Sequence, residues 1–451
     1  MLPVVTPEEM AAIDAAAPEP ASVLIERAGG AVARHALALL GGAYGRRVVV
    51  VAGKGNNGND GRAAAARLRR RGVRVDVLDV TAAPAELPRA DLVIDAAYGT
   101  GLRAPYEFPR VAAGTPVLAV DIASGIDGLT GEVRGRPATA TRTVTFAALK
   151  PGLLLDPGRR FSGDVHVADI GLDVERARAH VVDAADVRSW VPDRPPTTHK
   201  WRAAVWVVAG SPGMTGAAHL TAAAALRAGA GYVRLSMSGG GDDPGAPTEV
   251  VRVPLDPDLR LDPAEVGRFG AVVVGPGLGR GPGVAAAVAE LVACTEAPLV
   301  VDGDGLTALA DRAVDALARR THPAVLTPHE GEFRDLAGAP PAADRIAAVR
   351  ALAARLGAVV LLKGPTTIVA APDGRVLVSC AGDARLATAG TGDVLSGVLG
   401  AFLACGTAAF EAAASAAFTH GLAASLGAAR GLIASDVVAL LPHALARIGE
   451  G

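Results

Sequence analysis

Cysteine is scarce in this chain. Its three residues, Cys294, Cys380 and Cys405, are odd in number and show no CxxC spacing, which argues against a disulfide framework or a thiolate zinc site and fits a reducing cytoplasm. Aromatic residues make up only 3% of the 451 residues. No Lys/Arg block is longer than Arg69-Arg70-Arg71, and the net charge is −2, so a nucleic-acid partner is not expected. The start of the chain, Met1 to Glu9, has neither a basic segment nor a sustained apolar run, and no signal peptide is expected. The most apolar stretch, about 394–410, is interrupted by Ser396, Gly397, Gly400 and Gly406 and reads as a core helix plus a turn, not a membrane span. There is no GxxxxGK[ST] phosphate loop and no HExxH zinc pattern.

What is present is apolar and alternating. Half of the residues are hydrophobic, enough for two or three buried cores. Short apolar runs at 47–52, 73–80, 91–97, 116–122 and 141–147 are separated by helical stretches such as 59–71 and end in glycine-rich loops. That is the pattern of a parallel sheet buried on both faces, a doubly wound α/β domain whose ligands bind at the carboxyl ends of the strands. The pattern breaks at 183–200, where Pro192, Pro195 and Pro196 mark a linker. A second series follows at 203–209, 232–237, 271–274, 298–302 and 324–327. It ends in an expected hairpin, 367–371 and 375–379 around Pro372-Asp373-Gly374.

The chemistry-bearing residues cluster at those strand ends. Gly53-Lys54-Gly55-Asn56-Asn57-Gly58 satisfies GxGxxG, the dinucleotide fingerprint, with Asp76 or Asp79 about twenty residues on. A dehydrogenase presents bare backbone to the pyrophosphate, whereas this loop is filled by Asn56, Asn57, Asn59 and Asp60. Such oxygen donors near Asp95 and Ser124 suit a weakly hydrated cation such as potassium, or ligand hydroxyls. Asp95 and Asp121 each end a strand and run into a glycine turn. Each reads equally as a turn cap or as part of a site, and three such ends together favour a shared site. In the second half, Val394, Leu395, Val398, Leu399, Phe402 and Leu403 recur at helical spacing. This places Gly390-Thr391-Gly392-Asp393 at the start of a buried helix, where free N–H groups and small residues accept a phosphate and a carboxylate can take a proton. His329 reads as a ligand contact or an ordinary loop histidine. Asp302 and Asp304 are candidates to hold a magnesium–phosphate group through water.

Three of these runs, with Glu26-Arg27-Ala28-Gly29, resemble the NAD(P)H-hydrate epimerase domain over about 1–190: the Gly53–Gly61 loop, Asp95-Ala96 with Gly99-Thr100-Gly101-Leu102, and Asp121-Ile122 with Ser124-Gly125 and Asp127. The resemblance implies a Rossmann-like three-layer domain. It implies potassium held by Asn57, Asp95 and Ser124, and hydrated nucleotide held by Asn56, Asn57, Gly58, Asn59, Asp60, Gly99, Thr100, Gly101, Leu102, Arg103, Ala104, Pro105 and Asp121. Asn59 stands where the family has glycine.

The remainder, about 201–451 beyond a 191–200 linker, resembles the ADP-dependent NAD(P)H-hydrate dehydratases of the ribokinase-like fold. The likeness is carried by Ala209-Gly210-Ser211, Gly275-Pro276-Gly277-Leu278-Gly279, Thr327-Pro328-His329-Glu330, Leu362-Lys363-Gly364 and Gly390 to Gly397. It implies contact of hydrated nucleotide with Ala218 (or Ala217), Gly277, His329 and Asp393, and of adenine nucleotide with Lys363, Gly364, Pro365, Thr366, Thr367 and Gly392. Trp201-Arg202 and Ala389 depart from that family's glycines.

Taken together, an α/β protein of two doubly wound domains is expected. It would use ADP and Mg²⁺ in the second domain and K⁺ in the first, acting on NADH or NADPH hydrates as a cytoplasmic homo-oligomer without membrane contact. Asp393 is the expected base for a hydroxyl attacking the terminal phosphoryl of ADP, and Asp121 the acid/base of epimerisation. A ribokinase-type small-molecule kinase with a non-catalytic first half is the alternative. The sequence leaves ADP or ATP, and NADH or NADPH hydrate, open.

Overall fold

A computed structural model describes residues 1–451 apart from 103, 240–242, 257, 282 and 451. The chain divides into two compact units, Leu2–Ala179 and His180–Gly451, with Met1 grouped with the second. The helix Ala184–Trp190, expected in the first domain, therefore belongs to the second unit; its Val187 lies in that unit's hydrophobic core.

In the first unit, the strands are β1 (Arg47–Ala52), β2 (Arg74–Asp79), β3 (Leu92–Ala96), β4 (Val117–Val120), β5 (Arg142–Phe146) and β6 (Asp164–Ala168). They pair in parallel in the order β2-β1-β3-β4-β5-β6. The interior of β1 is valine throughout and fully buried, as a central parallel strand covered on both faces demands. Helices α1 (Ala21–Leu40) and α2 (Asn56–Arg70) pack so closely that a Cβ at Gly29 would press on Ala63. Strand order reverses direction between β1 and β3, so their carboxyl ends open a crevice at the topological switch point.

The second unit contains β7 (Ala204–Val208), β8 (Tyr232–Ser236), β9 (Val251–Arg252), β10 (Ala271–Val274), β11 (Leu299–Val301), β12 (Ala324–Leu326), β13 (Val359–Leu362), β14 (Thr367–Ala370) and β15 (Val376–Ser379). They run in the order β15-β14-β13-β12-β11-β10-β7-β8-β9, parallel from β9 to β13 and antiparallel through the β13-β14-β15 meander. The expected hairpin is β14-β15, closed by Gly374 N–H donating to the Ala371 carbonyl.

The helices that bear on the site are α3 (Thr215–Arg227), α4 (Asp304–Leu309), α5 (Glu330–Ala337), α6 (Thr391–Ala404), α7 (Ala409–Ser425) and α8 (Ala434–Glu450). Helix α6 is buried on every side beyond its first turn, and the apolar stretch read as helix plus turn is α6 and the loop to α7. Two of its glycines make that possible. A side chain at Gly397 would collide with the Thr221 carbonyl of α3, and one at Gly400 would collide with Val273 of β10. No helix among the described residues is long and apolar enough to cross a membrane.

Candidate functional sites

At the β1/β3 crevice, a cavity of about 910 Å³ is lined by Lys54, Asn56, Asn57, Asp60, Tyr98 to Leu102, Asp121 and Lys150, among others. The Asn56–Asp60 segment, expected as a loop, is the opening of α2, which starts three residues earlier than the sequence reading because extended Gly55 serves as its N-cap. Asn56, Asn57 and Asp60, on neighbouring positions of the first turn of α2, line the cavity, and Asn59 does not. The extra side chain at position 59 therefore does not crowd the ligand space. Gly58 is demanded by packing, since a Cβ there would strike the Gly53 carbonyl. Of the other expected contacts, Gly99, Thr100, Gly101, Leu102 and Asp121 line the cavity, whereas Ala104 and Pro105 do not. Arg103 lies outside the described residues.

Asp95 is fully buried behind the cavity wall. Its Oδ1 accepts the Ser124 hydroxyl at 2.5 Å and its Oδ2 the Ser124 N–H at 2.8 Å. Burial is the main cause that pushes its pKa up to about 6, against the hydrogen bonds from Ser124. The Ser124 hydroxyl oxygen in turn accepts the Tyr98 N–H at 2.9 Å. Asn57 packs against Gly99 in the same turn, yet both polar atoms of its amide are buried with no hydrogen-bond partner among the described residues. An orphaned amide oxygen and a buried carboxylate without a cationic neighbour bonded to it are the donor set that a weakly hydrated cation satisfies.

Asp121 holds a left-handed backbone (φ 66°) that aims its carboxylate back at β5. There, Oδ1 accepts Lys150 Nζ at 2.6 Å and the Thr145 hydroxyl at 2.9 Å. Lys150 is 1% exposed and also donates to Thr145 Oγ1 and the Phe146 carbonyl. Sequence reasoning missed Lys150, and missed Asp14, which also lines the cavity.

In the second unit, the adjacent parallel strands β11, β12 and β13 end side by side and deliver Asp302, Thr327 and Lys363 to one place. Asp302 Oδ1 accepts Lys363 Nζ at 2.7 Å and the Thr327 hydroxyl at 2.8 Å, and Oδ2 accepts the Ser396 hydroxyl of α6 at 2.7 Å. Burial raises its pKa, but Lys363 and the three hydrogen bonds outweigh that and hold it below the usual aspartate value. Asp302 is 2% exposed with both oxygens engaged, and it anchors Lys363. Asp304 is likewise engaged, accepting the Gly279 N–H at 2.9 Å and so fixing the Gly275–Gly279 loop.

Lys363 also faces Glu332 at 3.5 Å; the two carboxylates overcome the effect of burial and raise the ammonium's pKa. A Cβ on Gly392 would lie 3.6 Å from Lys363 Nζ, so the amine stands against the first turn of α6. One residue on, Asp393 has its pKa pushed up to about 7, by burial first and then by Asp302, with Lys363 opposing. Gly390, the N-cap at φ 89°, packs against Leu220 and Ala434. His329 caps α5: its Nδ1 accepts the Gly331 and Glu332 N–H groups at 3.0 and 3.2 Å, which puts the neutral ring's proton on Nε2. Of the two alanines left open by sequence, Ala218 is fully buried against Gly210, and Ala217 is the one beside Gly277. Trp201 sits at the opposite, amino-terminal end of the strands, its ring 4.3 Å from that of Tyr232 and under Arg268, away from this site.

Fold and sites define a two-unit α/β protein, a Rossmann-like unit followed by a ribokinase-like unit. Residues 205–447 match the family described as NAD(P)H-hydrate dehydratase, and residues 21–89 and 79–152 match the family described as YjeF-related protein N-terminus. The bifunctional NAD(P)H-hydrate repair enzyme Nnr of Mycobacterium tuberculosis is 42% identical over 410 residues, covering 85% of this chain and 84% of the relative. The crystal structure of an ADP/ATP-dependent NAD(P)H-hydrate dehydratase from Bacillus subtilis, co-crystallised with ATP and Mg²⁺, is similar over 59% of this chain and 97% of its own, at TM-score 0.50 and 28% identity. A ribokinase-like superfamily protein from Enterococcus faecalis, 21% identical, shares the fold over 61% of this chain and 98% of its own at TM-score 0.52. The chain belongs to the bifunctional NAD(P)H-hydrate repair enzyme family.

Proposed function

We propose that this protein repairs nicotinamide nucleotides: the first unit interconverts the R and S epimers of NADH or NADPH hydrate, and the second returns the S epimer to NAD(P)H at the expense of ADP, releasing AMP and phosphate. The observation that carries this reading is Asp393, a carboxyl tuned to about 7 on a glycine-bounded helix start with Lys363 beside the preceding residue. A hydroxyl on a carbon next to nitrogen leaves poorly as hydroxide and well as phosphate. Asp393 takes the hydroxyl proton as that oxygen attacks the terminal phosphoryl of ADP; first-turn N–H groups at Gly392 and Lys363 Nζ offset the charge that develops. Mg²⁺ arriving with the nucleotide supplies further neutralisation of the diphosphate. The ring nitrogen's lone pair then expels phosphate, a proton leaves the neighbouring carbon, and the ring double bond is restored. Gly277 and His329 would hold the hydrated nucleotide, and Lys363 to Thr367 with Gly392 the adenine nucleotide. In the first unit, Asp121, held by Lys150, takes part in proton transfer.

Incubating mixed hydrate epimers with ADP or ATP and following recovery of reduced-nicotinamide absorbance tests this reading. Complete recovery with stoichiometric inorganic phosphate is expected. A stable phosphorylated product without free phosphate would establish instead a ribokinase-type kinase, which the relatives do not favour.

Asn57, Asp95 and Ser124 would hold K⁺. Replacing choline chloride with KCl is then expected to raise the unfolding midpoint of the wild type but not of Asn57→Ala, measured by calorimetry. Equal increments in both proteins would remove the cation from this site. The cytoplasm and a homo-oligomeric assembly complete the proposal, the latter tested by light scattering.

A further inference from the structure

Asp60 is the least explained group in the first cavity. Its residue is 7% exposed, it lies on the cavity wall, and no hydrogen bond or ion pair to its carboxyl exists among the described residues. A buried aspartate is ordinarily paired, as Asp302 is in the second unit. Glycines on either side of it serve packing: Gly58 against Gly53, and Gly61 against Ala96 of β3. They press this turn of α2 onto the sheet, fixing Asp60 in the cavity wall. The charged groups acting on it are Asp121, itself bonded to Lys150, and Asp14 from the helix Pro7–Ala15. Of the nearby cations, Arg67 is paired with Glu26, Arg47 with Asp76 and Arg62 with Asp79, while Lys54, on the loop before α2, lines the same cavity.

We propose that Asp60 is the proton donor of the first site, giving its carboxyl proton to the hydroxyl oxygen that departs from the hydrated nicotinamide ring. The inference rests on the epimerase reading above and adds to it the acid that Asp121, already bonded to a lysine, does not supply. The carbon–oxygen bond breaks with both electrons going to oxygen, which leaves as water carrying the Asp60 proton, and the ring nitrogen's lone pair forms the carbon–nitrogen double bond. Water adds to the opposite face, those electrons return to nitrogen, and the surplus proton passes to Asp121. Exchange with solvent resets both carboxyls. Burial, then Asp121 and Asp14, push the Asp60 pKa up to about 8, so the carboxyl carries its proton at neutral pH. Two carboxyls in one cavity, one paired with a cation and one not, is the arrangement that separates base from acid.

The test uses the full chain. Epimer exchange by the wild type, corrected for the uncatalysed rate, is expected to fall as pH rises through about 8. Asp60→Asn should lower kcat by about 100-fold or more with little change in KM, and erase that alkaline limb. Asp60→Glu should recover part of the rate. The infrared carbonyl band of a protonated carboxylic acid, present at neutral pH in the wild type, should be missing in Asp60→Asn. Unchanged ADP-driven dehydration of purified S epimer shows that the variant is folded. Wild-type exchange rate in Asp60→Asn, or an unaltered band, overturns the proposal. If the asparagine variant does not fold, wild-type exchange that stays flat through pH 8 overturns it. A wild type that exchanges no epimers at any pH rejects the epimerase reading itself, a result distinct from an active wild type with an indifferent Asp60.

Discussion

Asp393→Asn is expected to lower the kcat of nucleotide-dependent dehydration by about 10³-fold or more, within the range typical for loss of a general base, while epimer exchange continues at the wild-type rate. The substitution changes one oxygen to NH₂, so the size of the group and the start of α6 are retained and only the proton acceptor is lost. The pH dependence gives the sign. A base must be ionised, so wild-type dehydration should rise with pH through about 7, the value set by burial and by Asp302. Lys363 opposes that shift, and Lys363→Met should move the midpoint further up. Stability provides the control. Because the folded-state pKa of Asp393 is raised, its contribution is fully present below the ordinary aspartate value near 4 and is lost as pH rises through about 7. Asp393→Asn should therefore unfold no earlier than wild type at pH 8. Coupled loss of both activities, or an acid limb unchanged in Lys363→Met, would count against Asp393 as the base.

Much of this architecture is legible in the sequence, for a physical reason. Strands of a doubly covered parallel sheet are uninterrupted apolar runs, and each must end in a turn, so Val48 to Ala52 and Leu92 to Ala96 announce both themselves and the loops that follow. The start of α2 was misplaced because Asn56, Asn57 and Gly58 are poor helix formers; the tertiary approach of Gly53 and Gly58 overrides that propensity. Side-chain partnerships across the sheet were not legible. Lys150 meets Asp121 only because Asp121 takes a positive φ, and Lys363 meets Asp302 only because β11, β12 and β13 lie side by side. The composition holds one signal of them. The chain has only four lysines, Lys54, Lys150, Lys200 and Lys363, where arginine serves almost everywhere else. Lys54 and Lys150 line the first cavity and Lys363 stands at the second site. A compact ammonium that fits a confined pocket, where a guanidinium fork does not, is a reason for lysine to persist against that bias.

Asp302→Ala is expected to destabilise the second unit by about 3–5 kcal/mol, the range for breaking a buried ion pair from one side. Asp302 accepts from three donors, and Lys363 would be left with Glu332 alone at 3.5 Å while the hydroxyls of Thr327 and Ser396 lose a partner. For a unit of this size, each kcal/mol moves the midpoint by roughly 2–4 °C, so a fall of about 10 °C is expected by calorimetry. The pH window discriminates this cause from a simple cavity. Since the folded-state pKa of Asp302 is depressed, its stabilisation is present above the unfolded value near 4 and is lost as pH falls through the folded one. The deficit of Asp302→Ala should therefore shrink in acid, whereas a packing defect would persist. Removing the cation as well, in Asp302→Leu with Lys363→Met, should restore much of the midpoint, because two apolar side chains leave no stranded charge. Dehydration should stay far below the wild-type rate in that double variant, at the residual level of Lys363→Met, since the ammonium beside Gly392 is gone. Recovery of activity along with stability would show that Lys363 holds the fold together and takes no part at the phosphoryl end of the nucleotide.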